Sequence, residues 1–409
     1  MTATRRFCAL QLMITGKADS IWTRAFALLC LAQFMGYAQH FMLAPVLPLY
    51  VTDLGGSAFV VGLVLASFAV TSVVIRPLVG HWADRWSEGG VMISGLLFQG
   101  ASVFLCLVPL IEAVMLANAL RGLGWAGLNT GGYSLLALTA PESRRGEASG
   151  FYSGVQGAAS ILFPAAALWL LAASFGGFAV VFVTTALLSL LAAGAGAVML
   201  RYSPAVIRPT KAEDTGPWWR EVFHFVEPEI LLPSILLLWL NLTLPAMTNF
   251  IVLYARELAL ENFGIYFVIC GITNLFARPG LGRLSDQIGR GQSIAAGFTL
   301  QVLGLFLITL VSGLPGILFA GVFYMLGNAI ASSTILALAV ERADPRRRGK
   351  AMATFSVAYP LSYGVGSLMI GSIVEVAGYV GMFLILAAVE AGGLFFVHMN
   401  QGTLKSDTN

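Results

Sequence analysis

The chain has 409 residues, of which 58% are hydrophobic and 11% charged, with a net charge of +3 and a mean hydropathy of +0.83. Soluble domains hold about 45–50% apolar and about 25% charged residues, so the solvent around most of this chain is itself apolar, and a water-soluble globular protein is excluded. Four scattered histidines and four cysteines, Cys8, Cys30, Cys106 and Cys270, give no metal-ligand spacing and no disulfide framework. No HExxH, CxxC, Walker or dinucleotide-binding motif occurs. An enzyme, a bound cofactor and a nucleic-acid partner are therefore not expected.

The first 23 residues carry Arg5, Arg6 and Lys17 around an apolar patch, Phe7 to Ile14, that is too short to span a bilayer. No small-residue cleavage site follows it, so a cleaved signal peptide is not expected, and Met13 is an alternative start. Twelve apolar stretches follow, near 24–50, 58–80, 91–110, 112–139, 147–172, 177–200, 229–255, 261–280, 292–312, 314–340, 350–375 and 377–398. Each approaches or exceeds the roughly 20 residues a spanning helix needs. The runs are continuous, without the period-2 alternation of a barrel strand, so the predicted class is an all-α integral membrane protein. The predicted division is a segment 1–23, six helices in 24–201, a linker at 202–228, six helices in 229–399, and a tail at 400–409. The linker is the one polar stretch, with Pro204, Pro209, Lys211, Glu213, Asp214 and Pro217.

Lys and Arg cluster at the two ends of the chain and at the even-numbered connections, with only Arg121 and Arg256 elsewhere. By the positive-inside rule both termini face the cytoplasm, and a bacterial-type cytoplasmic (inner) membrane is expected.

The halves repeat. Arg76-Pro77-x-x-Gly80-x-x-x-Asp84 recurs as Arg278-Pro279-x-x-Gly282-x-x-x-Asp286, and Arg145-Gly146 recurs as Arg348-Gly349. Each element falls at the same place in its half, as in transporters built from two parallel six-helix repeats.

On these residues the chain resembles the major facilitator superfamily. Gly80-His-Trp-Ala-Asp84-Arg85 resembles the family's motif between helices 2 and 3, and Gly282 to Arg290 its second-half copy. Arg121 with Gly127 resembles the helix-4 motif, and Pro45-x-x-Pro48-Leu49-Tyr50 the end of helix 1 in the drug–proton antiporter and sugar-efflux branch. Trp125 and Phe163-Pro164 depart from the branch pattern. The resemblance implies two pseudo-symmetric six-helix bundles around a central cavity. It also implies a monomeric secondary transporter in the lipid bilayer, with a small-molecule substrate and protons as coupling ion. Proton-coupled efflux is the reading adopted. Uptake of a sugar, organic acid or metabolite by symport, and a non-transporting receptor, are the alternatives.

Arg121 lies about nine residues, or ~13 Å, into helix 4. A guanidinium at that depth costs at least about 2.5–3.5 kcal/mol on insertion scales, so it is expected to face a cavity or a partner. Its repeat position is Tyr324, so the charge is one-sided. His40, at similar depth in helix 1, is a candidate proton carrier because imidazole titrates near neutral pH. Glu390 is the only carboxylate well inside a helix, read either as a coupling acid or as an interface contact. Candidate substrate contacts on the cavity-lining helices are Tyr37, Gln39, Asn129, Tyr133, Gln156, Asn241, Asn249, Phe250, Asn274, Asn328, Tyr359 and Tyr363. Amides and phenols on an apolar wall suit an amphipathic organic solute. The resemblance assigns Asp84 to the start of helix 11 and Asp286 to that of helix 5, as gating contacts. Arg85, Arg145, Arg290 and Arg348 are candidate gate partners.

Overall fold

The computed structural model describes residues 21–141, 144–202, 227–343 and 348–404. Most of the N-terminal segment, the linker and the end of the tail lie outside these. In chain order the described helices are α1 (Arg24–Asp53), α2 (Ala58–Val74 and Arg76–Arg85), α3 (Glu88–Val103), α4 (Ile111–Thr139), α5 (Arg145–Ala172) and α6 (Phe178–Tyr202). In the second half, α7 runs in pieces from Leu231–Leu242 to Ile251–Glu257. It is followed by α8 (Gly264–Ile288), α9 (Arg290–Leu310) and α10 (Leu314–Arg342). The stretch Arg348–Met399 turns at Gly378, whose φ of 66° suits a residue without Cβ, and so divides into α11 (348–377) and α12 (379–399). Twelve helices result, at the positions the hydropathy predicts.

The helix starts are written locally. Thr23 accepts a hydrogen bond from the Phe26 amide at 3.1 Å and Ser87 from the Gly90 amide at 3.1 Å, satisfying donors that a helix leaves open. Two helices are interrupted. α2 bends by 43° at Ile75, just before Pro77. α7 stops at Thr243, meets Pro245, and continues through a π-turn at Ala246–Phe250, where proline and the wider turn break the hydrogen-bond ladder.

Packing within each half repeats. A Cβ on Gly124 of α4 would meet the Gly95 carbonyl and Gln99 of α3. A Cβ on Gly327 of α10 would meet the Gly297 carbonyl and Gln301 of α9 in the same way. Small residues let both pairs approach to backbone contact, and this correspondence confirms Arg121 and Tyr324 as equivalent positions.

Between the halves, α2 packs on α11, α5 on α8 and α1 on α7. The α2–α11 crossing is as tight: a Cβ on Gly62 would lie 2.4 Å from the Ser367 carbonyl, and one on Gly371 2.5 Å from that of Ala58. At the end bearing the odd-numbered connections, Arg256 pairs with Asp53, and Glu375 Oε1 accepts the Phe59 amide at 3.1 Å. At the other end the Arg76 guanidinium donates to the Ser356 carbonyl and hydroxyl at 3.2 and 3.0 Å.

Candidate functional site

α4 sets the site. Asn118, Arg121 and Trp125 are three and four residues apart, so they share one face. Arg121 is 2% exposed. Its Nη1 donates to Asn118 Oδ1, its Cζ lies 5.5 Å above the Phe68 ring, and its Nε has no hydrogen-bond partner. Asn118 is held by its own donation to the Val64 carbonyl of α2 at 2.6 Å. Among the described residues, no acid pairs with this guanidinium.

His40 of α1 stacks on Trp125 with ring centres 4.2 Å apart and planes 25° apart, and its buried Nδ1 is likewise unpartnered. From the other half, Asn249 sits in the π-turn of α7. Its Nδ2 donates to the Ala44 carbonyl at 2.8 Å, and its Oδ1 accepts from the Tyr363 hydroxyl of α11.

Arg121, Asn118, Phe68, His40, Asn249 and Tyr363 line one small cavity, completed by apolar side chains of α1 and α2, with Trp125 stacked behind His40. No carboxylate lines it. The arrangement offers a fixed positive charge, two unsatisfied buried nitrogen atoms and an aromatic wall, the chemistry that suits an acceptor-bearing amphipathic solute once the cavity widens.

The other predicted contacts distribute differently. The Tyr37 hydroxyl donates to Asn129 Oδ1 at 2.6 Å, and its ring packs on Trp125 at 4.6 Å, on the flank of the pocket. Tyr133 and Tyr359 are half-exposed, at 50% and 47%, and Tyr133 reaches Gln156 at 3.4 Å. Gln39 lies in the α1–α3 seam, accepting from Gln99 Nε2. Asn328 donates to Asn241 at 3.4 Å inside the second half, and Phe250 is fully buried in the core. None of these predicted contacts is among the residues lining the cavity. Asn118 and Phe68 were not singled out from the sequence, although Asn118 stands one turn before Arg121 in an apolar helix.

Of the gate residues, Gly80, Asp84 and Arg85 lie on the second piece of α2 and Gly282 and Asp286 near the end of α8. The side chains of Asp84, Asp286 and Arg348 lie outside those described. Arg290 pairs with Glu341 of α10 at 2.5 Å, and Arg145 donates to the Ala137 carbonyl at 3.5 Å.

Residues 29–343 and 231–401 match the Major Facilitator Superfamily. An uncharacterized MFS-type transporter of Methanocaldococcus jannaschii is 22% identical over 83% of this chain and 89% of its own. Multidrug resistance protein MdtG of Escherichia fergusonii is 27% identical over 69% of this chain and 71% of its own. Among solved structures, a bacterial homolog of the human lysosomal transporter Spinster aligns with a TM-score of 0.78 at 12% identity. The match covers 96% of this chain and 100% of that one. The nucleoside transporter NupG aligns with a TM-score of 0.71 at 14% identity, over 92% and 99%. The sequence motifs, the doubled six-helix architecture and these matches agree: the chain belongs to the Major Facilitator Superfamily and is a secondary transporter, not an enzyme.

Proposed function

We propose that the chain exports a small amphipathic organic solute in exchange for protons, by alternating access of the pocket at Arg121 and His40. The observation that carries this reading is the buried guanidinium, with no acid partner among the described residues, in a cavity built from both halves. Rocking the halves against each other would open such a cavity to each side in turn. A solute oxygen supplies the acceptor that Arg121 Nε lacks, and His40 Nδ1 offers a second polar contact. The wall of Phe68, Leu43, Leu47 and Leu65 takes the apolar part. The name of the similar MdtG protein supports the export direction.

In this reading the even-connection end and both termini face the cytoplasm of a bacterial-type inner membrane, and the protein works as a monomer. The contacts at the odd-connection end then close the outer side. The half-exposed Tyr133 and Tyr359 are then the candidates for solute contacts on the inward side, and the acidic motif residues Asp84 and Asp286 would hold the inner gate in the alternate state. No nucleotide motif is present in the sequence, so the driving force is an ion gradient.

The test is transport in reconstituted vesicles of both orientations, with an imposed pH gradient and a panel of fluorescent amphipathic dyes. Dye movement against the proton flow, abolished in Arg121→Ala with the Tm retained, is expected. Dye movement with the proton flow would replace export by symport. Binding without movement in either direction would replace transport by a receptor role.

A further inference from the structure

The second half contains an ionisable group that the pocket does not use. Glu390 of α12 is fully buried. It and Arg121 are the only buried charged side chains among the described residues. The Thr243 hydroxyl donates to Glu390 Oε1 at 2.6 Å and lies 2.8 Å from the Tyr324 hydroxyl. A threonine has one hydroxyl hydrogen, so with that hydrogen on Glu390 the Tyr324 O–H must donate to Thr243. The chain of donors thus runs from α10 through α7 to the carboxyl. The other oxygen, Oε2, is buried with no partner. An isolated buried carboxylate is costly, and the usual remedy is a cation or a proton. Among the described residues no cationic side chain pairs with Glu390, and the titratable group that faces it is the Tyr324 phenol of α10, through Thr243. Protonation would remove the charge that burial makes costly.

The position of Thr243 gives this site a mechanical connection. Thr243 caps the first piece of α7, directly before Pro245 and the π-turn. The part of α7 beyond it carries Asn249, which donates to the Ala44 carbonyl at the pocket, and Arg256, which pairs with Asp53 at the odd-connection end. Ionisation of Glu390 would tighten its hold on Thr243, because hydrogen bonds to a charged acceptor are the stronger ones. The pull falls on the break in the helix, where the backbone yields most easily. Tyr324 occupies the place in the second half that Arg121 occupies in the first, so the repeat carries a permanent charge on one side and an exchangeable one on the other. A proton on His40 would sit beside a like charge; a proton on Glu390 would not.

We propose that the Glu390 carboxyl, held by Thr243 and Tyr324, is a proton-binding site whose occupancy sets the bend of α7 and thereby the closure of the odd-connection end. Its part in turnover rests on the proton-coupled reading above; the site itself does not.

The experiment titrates purified protein in liposomes by infrared spectroscopy, following the carbonyl stretch of a buried carboxylic acid. In parallel, spin labels on Thr52→Cys and Glu257→Cys, with Cys8 removed, report the distance across the closed end. Wild type is expected to lose the acid band as pH rises, with the distance distribution shifting over the same pH range. In Glu390→Gln the band disappears and the distance stops responding to pH. Tyr324→Phe, which leaves Glu390 in place, shifts the midpoint by about one pH unit through loss of the relayed hydrogen bond. A band that never titrates, an unmoved midpoint in Tyr324→Phe, or an unaltered pH response in Glu390→Gln overturns the proposal. An intact titration without proton-driven transport removes the export reading and leaves the site standing.

Discussion

At the residue scale the molecule turns on how buried polar groups are satisfied. Arg121 depends on Asn118, and Asn118 on the Val64 carbonyl. Removing the middle member strands both ends, and an orphaned buried polar group costs ~1–3 kcal/mol. Asn118→Leu is therefore expected to lower the unfolding free energy in detergent by about that amount, read as a fall in Tm. Arg121→Lys keeps the charge but lacks Nε and the planar face over Phe68. It is expected to retain the Tm while lowering solute affinity at least about tenfold, measured by dye binding. His40→Phe preserves the stack on Trp125. Weaker dye binding with unchanged pH dependence of transport is expected if Glu390 is the proton site proposed above. The charge at Arg121 was legible in the sequence because guanidinium is so out of place in an apolar helix. Its partner was not, because an asparagine in such a helix looks the same whether it bridges two helices or faces a cavity. Gln39 illustrates the converse: an amide on a cavity helix that turns to the neighbouring helix.

At the element scale, glycine spacing determines how near the helices come, and the two kinds of crossing answer differently to an added methyl group. Gly95 on α3 and Gly297 on α9 lie inside the halves, against the backbone of Gly124 and Gly327. Gly95→Ala is expected to cost about 1–3 kcal/mol of stability, visible in Tm, with alkylation of an introduced Ala44→Cys unchanged. Gly62 and Gly371 lie between the halves. Gly62→Val drives a side chain into the Ser367 carbonyl, which rigid-body separation of α2 from α11 can relieve. The expected outcome is a near-normal Tm with the odd-connection end held open, read as faster alkylation of Ala44→Cys from that side. Hydropathy placed all twelve helices because bilayer thickness dictates their length. The break in α7 was hidden: Pro245 was visible, yet Pro45, Pro48, Pro164 and Pro360 stand inside helices that run on, and only packing decides which proline interrupts.

At the scale of the whole molecule, two similar halves enclose a pocket charged on one side. The repeat was readable from the motif pair at 76–84 and 278–286, since loops that repeat a function repeat their residues. The pairing of α2 with α11 and of α5 with α8 was not derivable from spacing, because lipid-facing and partner-facing apolar surfaces have the same composition. The ion pair between Asp53 and Arg256 joins the halves where both side chains are open to solvent, at 38% and 52% exposure. Such pairs contribute roughly 0–1 kcal/mol, enough to bias two states and too little to trap one. Reversing either charge should slow closure, and exchanging both should restore it, a coupling that a double-mutant cycle on transport rate measures. Because that clasp lies in water, it also answers to dissolved ions. Concentrated potassium chloride shortens the reach of charge to about 3 Å at 1 M, so salt added on that side of the membrane alone should quicken opening, while the same salt on the opposite side leaves it unchanged. The transporter would then sense the salinity of one compartment through a single bond.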